Sequence, residues 1–179
     1  EGYIIAGGYY LPPSVDRSVT ESYNGTAWTE VADCPQDLTY GNGLGSYTSS
    51  LLCSYSQPGP APGGFGPTTA THQWNGSSWS TKNSMNTFRQ NAGTGGTTTA
   101  GIVFGGSGPP ANANTETWDG TNWTEVGDLN TAKTDIGGGV GTSTAALSAS
   151  GNPATTEQWD GSSWTEISDL NTSRQNSGK

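Results

Sequence analysis

At 179 residues the chain has room for one domain of ordinary size. Only 12% of its residues are charged, and six Lys and Arg face fifteen Asp and Glu for a net charge of −9. That excludes the clustered cations nucleic-acid binding needs, and the lack of an 18-residue apolar run excludes a membrane-spanning helix. Twenty-eight Gly and ten Pro leave few aliphatics, so seven Trp and seven Tyr must fill the core of an all-β protein. The chain starts at Glu1 without a Met, which marks it as processed, trimmed or part of something longer. In chain order, the first predicted strand is Tyr3-Ile4-Ile5-Ala6, closed by Gly7-Gly8. A variable loop follows, then a strand ending at Tyr23, a hairpin turn at Asn24-Gly25, and a strand from Trp28.

The same order recurs three more times. Tyr23-Asn24-Gly25-Thr26-Ala27-Trp28 aligns without gaps with segments led by Trp74, Trp118 and Trp159, each with a second Trp five residues on (Trp79, Trp123, Trp164). The leading aromatics are 51, 44 and 41 residues apart, and each follows a Thr by three positions (Thr20, Thr71, Thr115, Thr156). Asn-Gly or Asp-Gly after the aromatic predicts a type I′ hairpin, which needs positive φ at both central residues. Each strand after the hairpin carries Thr and Glu, as an outer, solvated edge would. A polar turn such as Asp128-Leu129-Asn130-Thr131 then leads into a Gly-rich strand, predicted at 91–96 and 136–140, and an apolar strand such as Gly101-Ile102-Val103-Phe104. Four units of four strands result, at about 1–34, 35–85, 86–130 and 131–171, with 172–179 as a closing strand.

An apolar strand, Gly-Gly, variable loop, aromatic, hairpin, Trp and polar turn together resemble the Kelch repeat. The residues that carry the likeness are Gly7-Gly8 with Tyr23 and Trp28, and Gly105-Gly106 with Trp118 and Trp123. In the second unit Gly63-Gly64 sits in a long loop, and in the fourth Ser148-Ala149-Ser150-Gly151 replaces the pair. The wording is most similar to Kelch-like proteins of environmental bacteria and their viruses. The resemblance implies a β-propeller of four four-stranded blades, the first completed by both chain ends, which removes exposed edges. A segment of a longer array, or blades shared between chains, fits the same pattern.

The eight paired aromatics Tyr23, Trp28, Trp74, Trp79, Trp118, Trp123, Trp159 and Trp164 recur once per unit, which assigns them to the core between units rather than to sugar stacking. Asp119-Gly120 and Asp160-Gly161 are adjacent, one residue short of a sialidase Asp box, so they read as hairpin turns. His72 is the single histidine and occupies the position of Glu21, Glu116 and Glu157, read as an exposed strand position. Asp33, Asp128 and Asp169 recur after the fourth strand, where they cap their own turn or, less simply, hold Ca²⁺. No metal or cofactor is expected. Cys34 and Cys53 match no zinc or redox spacing; unpaired thiols are expected, a disulfide being the alternative. Asn24, Asn75, Asn122 and Asn171 head glycosylation sequons.

The loops at 9–17, 54–69, 107–114 and 151–154 do not repeat and connect the same strands, so they share one face. Tyr9, Tyr10, Asp16, Arg17, Tyr55 and Phe65 are the candidate ligand-binding residues there. No catalytic set stands out, so the chain is expected not to be an enzyme. The resemblance and composition imply a structural or adhesive module at a cell surface, extracellular fibre or virion. Its expected partner is a protein or glycan surface, copies of itself included, with no membrane insertion. The alternative is a carbohydrate-active enzyme, a glycosidase or lyase, with two carboxylates facing each other.

Overall fold

The computed structural model describes residues 2–8, 18–58, 65–108, 110–136, 139–172 and 174–175, and all regular structure among them is β. The first unit is a three-stranded antiparallel sheet of β1 (Tyr3–Ala6), β2 (Thr20–Tyr23) and β3 (Trp28–Glu30). The second orders β4 (Asn42–Ser46), β5 (Ser49–Cys53), β8 (Thr71–Trp74) and β9 (Trp79–Lys82). Its long loop carries a separate hairpin, β6 (Ser56–Pro58) with β7 (Phe65–Pro67). The third comprises β10 (Gly93–Thr97), β11 (Ala100–Phe104), β12 (Thr115–Trp118) and β13 (Trp123–Glu125). The fourth comprises β14 (Val140–Thr142), β15 (Ala145–Ser148), β16 (Thr156–Trp159) and β17 (Trp164–Ile167). The first strand of the last three sheets has no counterpart in the first sheet among the described residues.

The register follows the repeat. The leading aromatic of each unit pairs with the Trp five residues later: Tyr23 with Trp28, Trp74 with Trp79, Trp118 with Trp123, Trp159 with Trp164. Their rings sit 5.2 to 5.5 Å apart and tilted, the separation aromatic pairs favour. The hairpin between them differs from type I′. Positive φ falls on Gly25, Gly76, Gly120 and Gly161 alone, and Asn24 donates its N–H to the Ala27 carbonyl. The turn is therefore centred one residue later, on Gly-Thr or Gly-Ser. The preceding Asn or Asp uses its side chain instead: Asp119 Oδ1 accepts from the N–H groups of Thr121 and Asn122, both at 2.7 Å. Donors of this kind pull the exposed Asp160 carboxyl down to about 2.

Strand β10 lies against β4 on one side and β14 on the other. Close approach explains the glycines of these first strands, since a Cβ on Gly95 would lie 2.8 Å from the Gly141 carbonyl oxygen. The two Gly-rich strands start later than the sequence suggests, at Gly93 and Val140. Asn91 holds positive φ just ahead of β10, and Asp135 holds it in the segment leading to β14.

The core lies between sheets. One cluster joins Leu51 and Cys53 of the second unit to Val103, Trp118 and Trp123 of the third. A second joins Ile102 and Phe104 of the third to Ala146, Trp159 and Trp164 of the fourth. A third gathers Cys34, Leu38, Leu52 and Tyr55 where the first unit meets the second, with Trp79 packed on it. Each cluster takes one apolar residue from the connecting turn: Cys34, Met85 or Leu129.

Candidate functional site

The chemistry of the chain concentrates where one unit meets the next. Each Trp that opens a fourth strand reaches back to the preceding sheet. Trp79 Nε1 donates to Thr20 Oγ1 at 3.2 Å, Trp123 to Thr71 at 3.0 Å and Trp164 to Thr115 at 2.9 Å. The Trp thus spends its ring on the cluster and its N–H on a partner, as a buried indole must. Two of these acceptors, and their equivalent Thr156, are held in turn by the Asp after their own sheet. Asp33, Asp128 and Asp169 accept through Oδ1 from the backbone N–H of Thr20, Thr115 and Thr156. These aspartates therefore tie the last turn to the third strand rather than capping their own turn. Among the described residues, no group of three His, Cys, Asp or Glu is placed to hold a metal ion.

The second element is a buried carboxylate. Glu116 Oε2 accepts from the Asn86 backbone N–H at 2.7 Å and Nδ2 at 2.9 Å. Its Oε1 accepts from Thr87 N–H at 3.0 Å and Arg89 Nη2 at 2.7 Å. Arg89 also donates through Nη1 to the carbonyls of Gly105 and Asn114. Glu157 repeats this with Asn130 and Thr131, and Lys133 Nζ lies 3.9 Å from it. Lys133 also donates to the carbonyls of Ser148 and Thr155. Burial lowers the pKa of both cations from its ordinary value, and the facing glutamate opposes the shift. Such a pair is tolerated in a dry interior because each buried nitrogen and oxygen of these four side chains has a hydrogen-bond partner.

Sequence reasoning misplaced this position. The strand site of Glu116, Glu157 and His72 is buried, not exposed. His72 lacks a cation because the residue equivalent to Arg89 and Lys133 is Leu38, which is also buried. The His72 ring packs 6.0 Å from that of Tyr55, its Nδ1 lies 3.4 Å from Thr81 Oγ1, and Nε2 finds no partner among the described residues. Desolvation lowers its pKa. The signal was present in the sequence: cation and carboxylate are kept together in two units and lost together in one.

The candidate loop residues separate. Tyr9, Tyr10, Asp16 and Arg17 lie outside the described residues. Phe65 opens β7 and pairs across the hairpin with Pro58. Tyr55 is fully buried and its hydroxyl donates to Gln36 Oε1 at 3.2 Å, so it belongs to the core and offers no ligand a face. Tyr40 and Phe88, on the turns between units, are exposed aromatics that the sequence reading missed. They flank the long loops, because isolated bridges tie Thr39 to Ser56 and Gln90 to Ser107. Of the predicted core aromatics, Trp74, Trp118, Trp123, Trp159 and Trp164 are buried, Tyr23 and Trp79 are half-buried, and Trp28 is exposed. Both thiols are free and buried, and burial pushes Cys34 up to about 11 and Cys53 up to about 12. The four sequon asparagines are exposed.

A cavity of about 820 Å³ lies where the first strands gather, bordered by β1, β4 and residues Thr94, Gly139 and Val140. Its lining is glycine, aliphatic and aromatic with a few hydroxyls and one amide; among the described residues it holds no carboxylate, imidazole or thiol. No protein-family model matches the chain, and no curated protein matches it.

Proposed function

We propose that the chain is a Kelch-like β-propeller of four blades, the first completed by both ends of the chain, acting as a non-enzymatic structural or adhesive module. Its place is a cell surface, an extracellular fibre or a virion. The loops at 9–17, 54–69, 107–114 and 151–154, with Tyr40 and Phe88 beside them, form the binding face for a protein or glycan. The observation that carries this reading is how the buried charges are used. Arg89, Glu116, Lys133 and Glu157 are taken up by the joints between units, and among the described residues the cavity offers a substrate no carboxylate, imidazole or thiol. A catalytic pair needs carboxylates poised over open space, with pKa values pushed apart. The exposed aromatics on the loop side suit stacking on sugars or packing against a protein surface. The test is incubation with a glycan and glycoprotein array, with product analysis of every bound member. Binding without turnover, weakened by Phe88→Ala or Tyr40→Ala, is the expected result. Turnover would replace this reading with a carbohydrate-active enzyme.

A further inference from the structure

Among the described residues three joints are built from the same parts, and the first and fourth units carry a fourth set of those parts. Each formed joint has a Trp bonded to a Thr of the preceding unit and an apolar turn residue under it. Two also have an Asn-Thr-x-Arg/Lys turn on the Glu of the following unit. After the fourth sheet, Asn171, Thr172 and Arg174 stand at the sequence positions of Asn130, Thr131 and Lys133, and all three are exposed. The first unit carries Glu21 at the position of Glu116 and Glu157, also exposed.

The apolar parts match as well. Trp28 is 47% exposed, against 6% for Trp123 and 5% for Trp164. Leu170 is 42% exposed, against 4% for its equivalent Leu129. Thr156 Oγ1, the equivalent of the three acceptors, is buried with no hydrogen-bond partner among the described residues. An orphaned buried hydroxyl costs free energy until a donor reaches it. The fourth unit thus presents an acceptor, a turn and a cation; the first presents an indole and a carboxylate.

We infer that the first and fourth units of one chain dock on each other through a fourth joint, in which Arg174 and the Asn171-Thr172 amides engage Glu21 and Trp28 Nε1 donates to Thr156. The occupant is the chain's own other end. Tyr3–Ala6 of β1 and Val140 of β14 line the same cavity, so both units already border one space. A face tethered to its partner on the same chain outcompetes a second copy at ordinary concentrations. This inference rests on the ring reading above and names the contacts that close it.

The experiment is a double-mutant cycle on Glu21→Gln and Arg174→Gln, read by urea unfolding, with light scattering at two protein concentrations. Each single variant is expected to lower the folding equilibrium constant about tenfold or more, as breaking a desolvated pair does. The double variant should be no less stable than the weaker single. Scattering should give a monomer throughout. Additive losses, or none, would overturn the joint; a concentration-dependent dimer that Glu21→Gln dissociates would assign the face to a second copy instead. Carbodiimide labelling of the unmodified protein needs no variant: Glu21 should be protected as Glu116 is, and labelling as fast as the exposed Glu30 would overturn the joint. None of these outcomes bears on glycan turnover, so the module reading and the joint fail separately.

Discussion

Arg89 Nη2 lies 2.7 Å from Glu116 Oε1, and neither side chain is exposed to solvent. The pair ties the turn between the second and third sheets to the third sheet, since Arg89 lies between β9 and β10 and Glu116 stands on β12. The glutamate bonds two backbone amides of the same turn, so it fixes how one sheet follows another as well as neutralising a cation.

Glu116→Gln keeps the shape and removes the charge. It leaves Arg89 buried without a counter-ion, which costs about 3–5 kcal/mol. Adding Arg89→Met to Glu116→Leu should recover a large part of that loss, because an apolar pair of similar volume needs no desolvation. Urea midpoints of the single and double variants check this; a double variant as weak as the single would show that the amide contacts dominate.

Trp123→Ala should cost about 3–5 kcal/mol, since the ring is buried between the second and third units. Trp123→Phe retains most of the ring and strands the Thr71 hydroxyl, a loss of about 1–3 kcal/mol. Adding Thr71→Val to Trp123→Phe should return part of it. An unchanged midpoint for the alanine variant would contradict the core assignment.

The joint between the first two units is the apolar version, Leu38 with His72. Leu38→Arg alone buries an unpaired cation and His72→Glu alone an unpaired carboxylate, so each should destabilise by several kcal/mol, of the order of a broken buried pair. Together they rebuild the pair found at Arg89 and Glu116, and the double variant should be more stable than either single. Thermal melts of the three proteins decide it; strictly additive losses would mean the positions do not meet.

The thiols give the alkaline limb of stability. A free cysteine ionises near about 8.5 in an unfolded chain. Burial raises Cys34 to about 11 and Cys53 to about 12 in the folded state. The folded chain therefore holds protons that the unfolded chain releases, so this stability is complete below pH about 8.5 and falls as pH rises from there toward 11 and 12. Urea midpoints should decline between pH 8.5 and 10, and less steeply in Cys53→Ala. Ellman's reagent at pH 8 should find neither thiol in the native protein and both in urea. A native titre of two would contradict their burial.

The strand order was legible because hairpin glycines, alternation and paired aromatics are local signals, and four copies reinforce one another. Thr115-Glu116-Thr117-Trp118 ends at its aromatic as read, and Trp123 opens the next strand. Two things were not legible from one unit alone. Glu116 and His72 lie in polar, alternating strands that look solvated, and for Glu116 it is the turn that enters its sheet, at Asn86, Thr87 and Arg89, that covers it. Tyr55 sits in a Pro-rich loop that reads as surface, yet β6 and β7 fold that loop into a hairpin beside the core. The hairpin turn was misplaced by one residue because the Asn and Asp side chains satisfy the backbone amides without entering positive φ. Repeats expose spacing along the chain; they expose contacts between units only where paired residues change together, as Leu38 and His72 do.

The most direct test of the account is the set of indole resonances. Six of the seven tryptophans donate their Nε1–H: Trp79, Trp123 and Trp164 to threonines of the preceding unit, and Trp74, Trp118 and Trp159 to the carbonyls of Tyr47, Thr98 and Ser143. In a proton–nitrogen correlation spectrum of labelled protein in heavy water, those six should exchange slowly. The account predicts that the seventh, Trp28, is protected as well, and that Thr156→Val shifts its resonance and speeds its exchange while leaving Trp123 unmoved. A Trp28 indole that exchanges at the rate of a free side chain, and that ignores Thr156→Val, would contradict a ring joined at all four interfaces.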